Sequence, residues 1–100
     1  MYEVSYSGRV IDWLRDLVAR NRPHAADLIA VIRELDRRLR IYPQFGQPLR
    51  DLSVRRAQLW VATVPPLVVQ YIVVEGDEVG VGRKVLVARP PTILAGSGIV

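Results

Sequence analysis

Basic side chains provide the clearest chemical signal in this sequence. Arg83, Lys84 and Arg89 cluster around one predicted strand, and Arg55 and Arg56 open another. Guanidinium groups bind phosphate and carboxylate groups through a bidentate fork. These five residues are therefore the candidates for binding an acidic partner, and also for catalysis at a phosphate. An ordinary solvated strand edge would carry the same residues, so both interpretations stay open.

The other reactive residue types are scarce. His24 is the only histidine, and its place beside Pro23 at a helix start is typical of a surface or capping residue. The chain has no cysteine, which excludes disulfides and thiolate zinc sites. Tyr71 lies in an almost wholly apolar segment, which favours a core position. The glycines of "GVGRK" lack the spacing and setting of a phosphate-binding loop. We therefore expect neither a metal ion nor a cofactor.

The composition is typical of one small globular domain. Half of the 100 residues are hydrophobic and 24% are charged. The net charge of +4 comes from arginine, since Lys84 is the only lysine. An arginine surplus suits nucleic acid or an acidic protein, although a GC-rich genome produces the same bias. The sequence shows no secretory signal and no apolar run long enough to cross a bilayer, which predicts a cytoplasmic protein with no membrane partner.

Apolar spacing predicts a strand and two helices in the first half. Residues 2–6 alternate as in a strand. Residues 9–20 and 23–41 have the three- and four-residue spacing of helices. Ser7 is the expected cap of the first helix, and Asn21 its end in a left-handed conformation. The short connection predicts an antiparallel hairpin. The second helix has an expected core seam of Ala25, Leu28, Ile32, Leu35 and Leu39.

Three further strands are predicted in the second half. Their sequences are "SVRRAQLWVATV", "LVVQYIVVE" and "EVGVGRKVLVAR". Short turns join them, which predicts an antiparallel meander with the second of the three at its centre. The expected fold is α+β with the order β-α-α-β-β-β, a helical hairpin packed on a mainly antiparallel four-stranded sheet. One domain spans residues 1–100, and residues 90–100 form an irregular apolar tail that we expect a neighbouring chain or a partner to hold.

Several short motifs of the chain resemble the RelE/ParE toxin superfamily, whose members are often labelled plasmid-stabilisation proteins. The resemblance rests on "YEVSYS" before a helix, "YPQFGQPLRDL" between the helices and the sheet, "PLVVQYIV" with Tyr71, and the last strand. It covers residues 2 to about 89. It implies a bacterial toxin of a type II toxin–antitoxin system and a cognate acidic antitoxin as partner. Whether the chain forms a homodimer is left open.

The same resemblance separates two kinds of toxin. RelE-like members cut ribosome-bound mRNA with cations on the strands after the hairpin, and those positions fall here on Leu59, Val61 and Val68. Arg89 alone matches a basic family position. We therefore predict a ParE-like toxin that binds a target such as DNA gyrase. The alternatives are a RelE-like mRNA interferase with a displaced basic site, including Arg55 or Arg56, and a degenerate non-toxic member.

Overall fold

Within the described residues, two helices and six strands form an α+β domain with a mixed sheet. The computed structural model describes residues 1–53, 56–76 and 82–100. In chain order the elements are β1 (Glu3–Tyr6), α1 (Gly8–Arg20), α2 (Ala25–Ile41), β2 (Gln47–Asp51), β3 (Ala57–Val64), β4 (Leu67–Val74), β5 (Lys84–Val87) and β6 (Thr92–Ile93).

Both helices form where the apolar spacing predicted them. Ser7 caps α1, because its hydroxyl oxygen accepts a hydrogen bond from the Val10 N–H at 3.3 Å. A 3₁₀ turn, Arg22–His24, follows α1, so α2 begins at Ala25 rather than at Pro23. Across the described part of the chain, neither helix has the length and apolarity needed to cross a membrane.

The sheet has the order β1-β5-β4-β3-β2, and β6 also pairs with β4. The predicted meander with β4 at its centre is confirmed, and so is the mainly antiparallel character, since only β1 runs parallel to its partner β5. The prediction of four strands was wrong. The segment "QPLRD" forms β2 on an edge, where Pro48 is tolerated, and every residue of β2 is exposed. Such a strand lacks the apolar alternation that reveals a strand in sequence.

The predicted bounds of two strands extend into undescribed residues. β3 was expected from Ser53 and begins at Ala57, while the last long strand was expected from Glu78 and begins at Lys84. Residues 54–55 and 77–81 lie outside the described ranges.

β5 and β6 lie along the same side of β4 with an interruption between them. Val73 of β4 pairs with Val85, whereas Val68 pairs with Thr92, so the register shifts by two residues on passing from β5 to β6. Residues 88–91 occupy the interruption. Because Arg89 lies in this interruption, its side-chain direction is not fixed by the alternation of side chains along a regular strand.

The C-terminal segment is held by its own chain. Its first residues form β6, and the Leu94 N–H donates to the Pro66 carbonyl at 2.9 Å. Asn21 is not left-handed, since its φ is −119°. Its buried side chain instead donates to the carbonyls of Leu17 (2.8 Å) and Val100 (2.9 Å), and accepts the Val100 N–H at 2.9 Å. Asn21 therefore ties the tail to the end of α1.

The core lies between the helices and one face of the sheet. Three seam residues of α2, Leu28, Leu35 and Leu39, are at most 1% exposed, while Ala25 and Ile32 are half-buried. The seam prediction is therefore confirmed for the three leucines. The fully buried partners of these leucines in the core are Val10 and Leu17 of α1 and Leu67, Val69, Tyr71, Val73, Val85 and Val87 of the sheet.

Candidate functional site

The sheet face that turns away from the helices carries the strand positions singled out by the sequence. Successive side chains of a strand point to opposite faces. Tyr71 lies in the core between the sheet and the helices, so its neighbours in β4 face outward. This outward surface, called the open face below, consists of Arg50, Leu59, Val61, Val68, Gln70, Ile72 and Leu86.

The centre of the open face is apolar. Leu59 pairs with Ile72, so these two apolar side chains lie side by side, whereas Val61 pairs with Gln70 and Val68 with Thr63. Val68 lies two residues before Gln70 in β4 and therefore faces the same way. Leu59, Val61 and Val68 are all half-buried. These three apolar positions therefore share one face of the sheet, where the polar side chains of Gln70 and Thr63 lie opposite Val61 and Val68.

Two arginines line a cavity at one side of this face, called the Arg50–Arg89 cavity below. Its volume is about 180 Å³, and Leu59, Ile72 and Leu86 are among the residues that form its walls. Arg50 and Arg89 are the only charged side chains among the described residues that line it. Because the cavity walls include no described carboxylate, the local charge is positive.

Arg50 was missed by the sequence analysis. It lies opposite Leu59 at the β2 edge, a segment interpreted as an extended connection. The neighbouring Asp51 pairs with Gln58, whose amide donates to Asp51 Oδ1 at 2.7 Å. As successive residues of a strand, Arg50 and Asp51 point to opposite faces of the sheet, so Asp51 does not line the Arg50–Arg89 cavity. The only available cue was the order of charges in "PLRDL", which becomes informative once the segment is known to be a strand.

The other basic candidates at the last strand do not join Arg89. The guanidinium of Arg83 lies 5.6 Å from the centre of the Tyr2 ring, and its Nε is 3.8 Å from Glu75 Oε2. Lys84 is paired in register with Glu3. Both cations are therefore close to carboxylate-bearing residues at another part of the sheet.

The pair predicted at the start of β3 is described only in part. Arg56 is exposed, has a positive φ of 44°, and accepts the Glu75 N–H at its carbonyl at 3.3 Å. Arg55 lies outside the described residues. Of the four basic candidates that the structure describes, Arg89 is the one that lines the cavity of the open face.

Tyr71 and His24 have the positions that the sequence favoured. Tyr71 is buried, donates from its hydroxyl to the Pro43 carbonyl at 2.5 Å, and stacks on Phe45 with ring centres 6.2 Å apart. Burial raises the pKa of Tyr71 to about 12, although a hydrogen bond with the Gly46 backbone opposes the shift. Its proton is therefore held near neutral pH. His24 is exposed in the 3₁₀ turn.

A second surface, called the hairpin groove below, lies between the two helices. Its volume is about 620 Å³. Ile11, Leu14 and Ile32 give it an apolar floor, and Ile11 is 40% exposed. The polar residues that line it are Tyr6, Arg15, Arg33, Asp36, Arg37 and Arg40. Four arginines thus face a single carboxylate among the described lining residues.

That carboxylate belongs to Asp36 and is already engaged. It accepts hydrogen bonds from the Tyr6 hydroxyl at 2.6 Å and from Arg40 Nε at 2.8 Å. Partial burial raises the pKa of Asp36, but the hydrogen bonds from Arg40 and Tyr6 and the charge of Arg40 outweigh it, so the pKa lies below its usual value. Burial and the bond to Asp36 raise the pKa of Tyr6. Arg37 is also ion-paired, with Glu34. Even with both pairs counted, four arginines against two carboxylates leave an excess of positive charge around the groove.

Neither the sites nor the comparisons identify a bound group or a relative. Within residues 1–53, 56–76 and 82–100, no three His, Cys, Asp or Glu side chains come together as metal ligands would. No family model, curated protein or solved structure matches this chain.

Proposed function

We propose that this chain is the toxin of a type II toxin–antitoxin system, of the RelE/ParE superfamily, and that it acts by binding a protein target such as DNA gyrase. The observation that supports this function is the apolar centre of the open face. An apolar surface of this kind buries well against a protein. It does not stabilise the extra negative charge that forms at phosphorus during RNA cleavage.

The size of that effect supports the binding toxin over the RNA-cutting one. Removing one group that stabilises a transition-state charge typically lowers the rate by about 10²–10³. Leu59, Val61 and Val68 would each represent one such loss. The proposed mechanism is therefore inhibition by binding, with no covalent chemistry.

The hairpin groove is the surface best suited to the cognate acidic antitoxin. An amphipathic helix with apolar residues on one side and carboxylates along its flanks would match the apolar floor and the arginine rim. The sequence had favoured the tail and the basic strand edge. The tail is instead paired with β4 and tied to Asn21, whereas the groove exposes both apolar and basic groups.

A second candidate function is a RelE-like mRNA interferase with a displaced basic site. One observation favours it, namely that Arg50 and Arg89 line the same cavity. Two guanidinium groups could hold a phosphate. The tyrosine among the lining residues, Tyr71, is engaged with Pro43 and has a raised pKa, which makes it a poor proton acceptor.

Inducible expression separates these functions. We expect growth arrest and inhibition of gyrase supercoiling, with no new transcript 5′ ends. Val61→Glu should abolish the arrest because it places a carboxylate at the centre of the open face. Ala19→Glu, at an exposed position of α1, is the control and should remain toxic. New transcript ends that vanish in Arg89→Gln would establish the interferase instead. A chain that causes neither effect would be the degenerate member.

Co-expression with the adjacent reading frame tests the antitoxin. We expect a complex that co-purifies, and Ile32→Glu in the groove floor should weaken it by at least about tenfold, which corresponds to the loss of about 1.4 kcal/mol. Ile29→Glu is a matched control, since Ile29 is exposed on the same helix and is not among the groove residues. Equal affinities for the two variants would remove the groove from the interface.

A further inference from the structure

We infer that the Arg50–Arg89 cavity is a receptor for one carboxylate side chain of the target protein, presented beside an apolar residue that covers the centre of the open face. The inference rests on the proposed function and deepens it, because it states which chemical group of the target the face selects. The resemblance to known toxins assigns no role to Arg50.

The two arginines reach the cavity from opposite sides. Arg50 belongs to β2, at the edge beyond β3. Arg89 belongs to the interruption between β5 and β6, on the other side of β4. Leu59 and Ile72 lie between them as paired residues of β3 and β4. The cavity is thus a short apolar floor with a guanidinium group at each end.

The positive charge of this cavity favours the binding of an anion. Two guanidinium groups are among its lining residues, and no described carboxylate is. Glu3, on the outward side of β1, is paired with Lys84 at the far edge of the sheet. A carboxylate between the arginines would accept charge-assisted hydrogen bonds from both. Gln70, which also lines the cavity, carries an additional amide donor.

The surroundings of the cavity favour a single protein carboxylate over a nucleic acid backbone. Its volume of about 180 Å³ has room for either group. A nucleic acid is held by a series of cations along its phosphates, but Val61 and Val68 continue this face as apolar surface. An apolar residue next to the carboxylate would cover that surface and exclude water, which strengthens the ion pair.

Nuclear magnetic resonance titration of the full chain tests this directly. The probe is N-acetyl-leucyl-glutamate amide, and the matched probe is N-acetyl-leucyl-glutamine amide. We expect the glutamate peptide to shift the methyl signals of Leu59, Ile72 and Leu86 and the Nε–H signals of the two arginines in a saturable way. The glutamine peptide should bind at least about tenfold more weakly, since it lacks the charge.

Two exposed arginines make the variants straightforward to interpret. Arg50→Gln and Arg89→Gln should each weaken binding of the glutamate peptide by about tenfold, with otherwise unchanged spectra as the check on folding. Arg22→Gln, in the exposed 3₁₀ turn, should bind as the wild type does. Equal binding of the two peptides, or no effect of either cavity variant, would overturn the inference.

A single-stranded uridine hexanucleotide serves as the competing probe. If it shifts the same methyl signals more strongly than the glutamate peptide does, the cavity is an RNA phosphate site and the inference is overturned. The outcome is separable from that of the proposed function. Gyrase inhibition with no peptide binding would support the toxin function and refute the carboxylate-binding cavity. Peptide binding without toxicity would support the cavity and refute the toxin function.

Discussion

Replacing Gly46 with alanine should destabilise the fold through steric contact alone. Gly46 follows the 3₁₀ turn Pro43–Phe45 in an extended conformation, with φ −87° and ψ −151°. The backbone angles therefore do not require glycine. A Cβ at this position would lie 2.7 Å from the Tyr71 hydroxyl oxygen and 2.8 Å from Ala62 Cβ, and would also meet the Val61 carbonyl oxygen. Because Tyr71 and Ala62 are buried, neither side chain can swing away into solvent.

The cost has two parts. Forcing extra volume into a packed core typically costs about 1–3 kcal/mol. If the tyrosine moves, its hydrogen bond to the Pro43 carbonyl is lost, and a buried polar group without a partner costs about 1–3 kcal/mol more. We expect a total loss of about 2–6 kcal/mol. A small domain with about 5–15 kcal/mol of stability is strongly weakened by such a loss.

Urea unfolding followed by circular dichroism measures the change. Gly8→Ala is the matched control, because nothing lies within 4 Å of its added Cβ and it sits at the start of α1; it should be neutral or stabilising by up to about 1 kcal/mol. In the double variant Gly46→Ala/Tyr71→Phe, one of the clashing atoms is gone. The loss of stability in the double variant should therefore be smaller than the sum of the losses in the two single variants. A Gly46→Ala protein within about 0.5 kcal/mol of wild type would refute the steric argument.

Three further changes probe the core, the tail and the groove. Leu35→Ala should cost about 2–5 kcal/mol in urea unfolding, since Leu35 is 1% exposed; a loss below about 0.5 kcal/mol would place the seam at the surface. Asn21→Ala should speed amide hydrogen exchange at Val100, which loses its acceptor, without changing exchange in β4; unchanged exchange would show that the tail is held by other contacts. The lowered pKa of Asp36 means that its contribution is present above its unfolded pKa of about 3.9 and disappears as the pH falls through the folded value. The stability difference between wild type and Asp36→Asn, measured from neutral pH to about pH 2, should shrink in acid, and a constant difference would contradict the role of the Asp36 charge.

The elements that the sequence predicted well are those whose own residues carry the pattern. The helices bury one side each, so Leu28, Leu35 and Leu39 recur at helical spacing. β4 is central and buried, and its apolar run was recognisable for that reason. β2 and β6 have no such pattern. They are held in the sheet by backbone hydrogen bonds to β3 and β4 rather than by buried side chains at regular spacing. Tertiary contacts of this kind are not encoded in local periodicity.

The candidate site was predictable only in part for the same reason. Strand alternation alone places Leu59 and Val61 on one face. The meeting of Arg50 and Arg89 depends on an unrecognised edge strand and on the register shift after β5. The fate of Arg83 depends on the distant Tyr2 and on Glu75, neither of which lies near it in sequence.

The parallel pairing of β1 with β5 affects the order in which parts of this chain can fold during synthesis. Glu3 pairs with Lys84, about 80 residues later. A contact so distant along the chain forms slowly, and it cannot form before Lys84 has been synthesised. Leu86 of the open face and Arg89 of its cavity follow Lys84 within a few residues. Until they are made, the chain lacks part of the surface that we propose binds the target. For a protein proposed to be harmful to the cell that makes it, this order of assembly would delay activity and leave time for an antitoxin to bind the hairpin groove, whose two helices precede β5 in the chain.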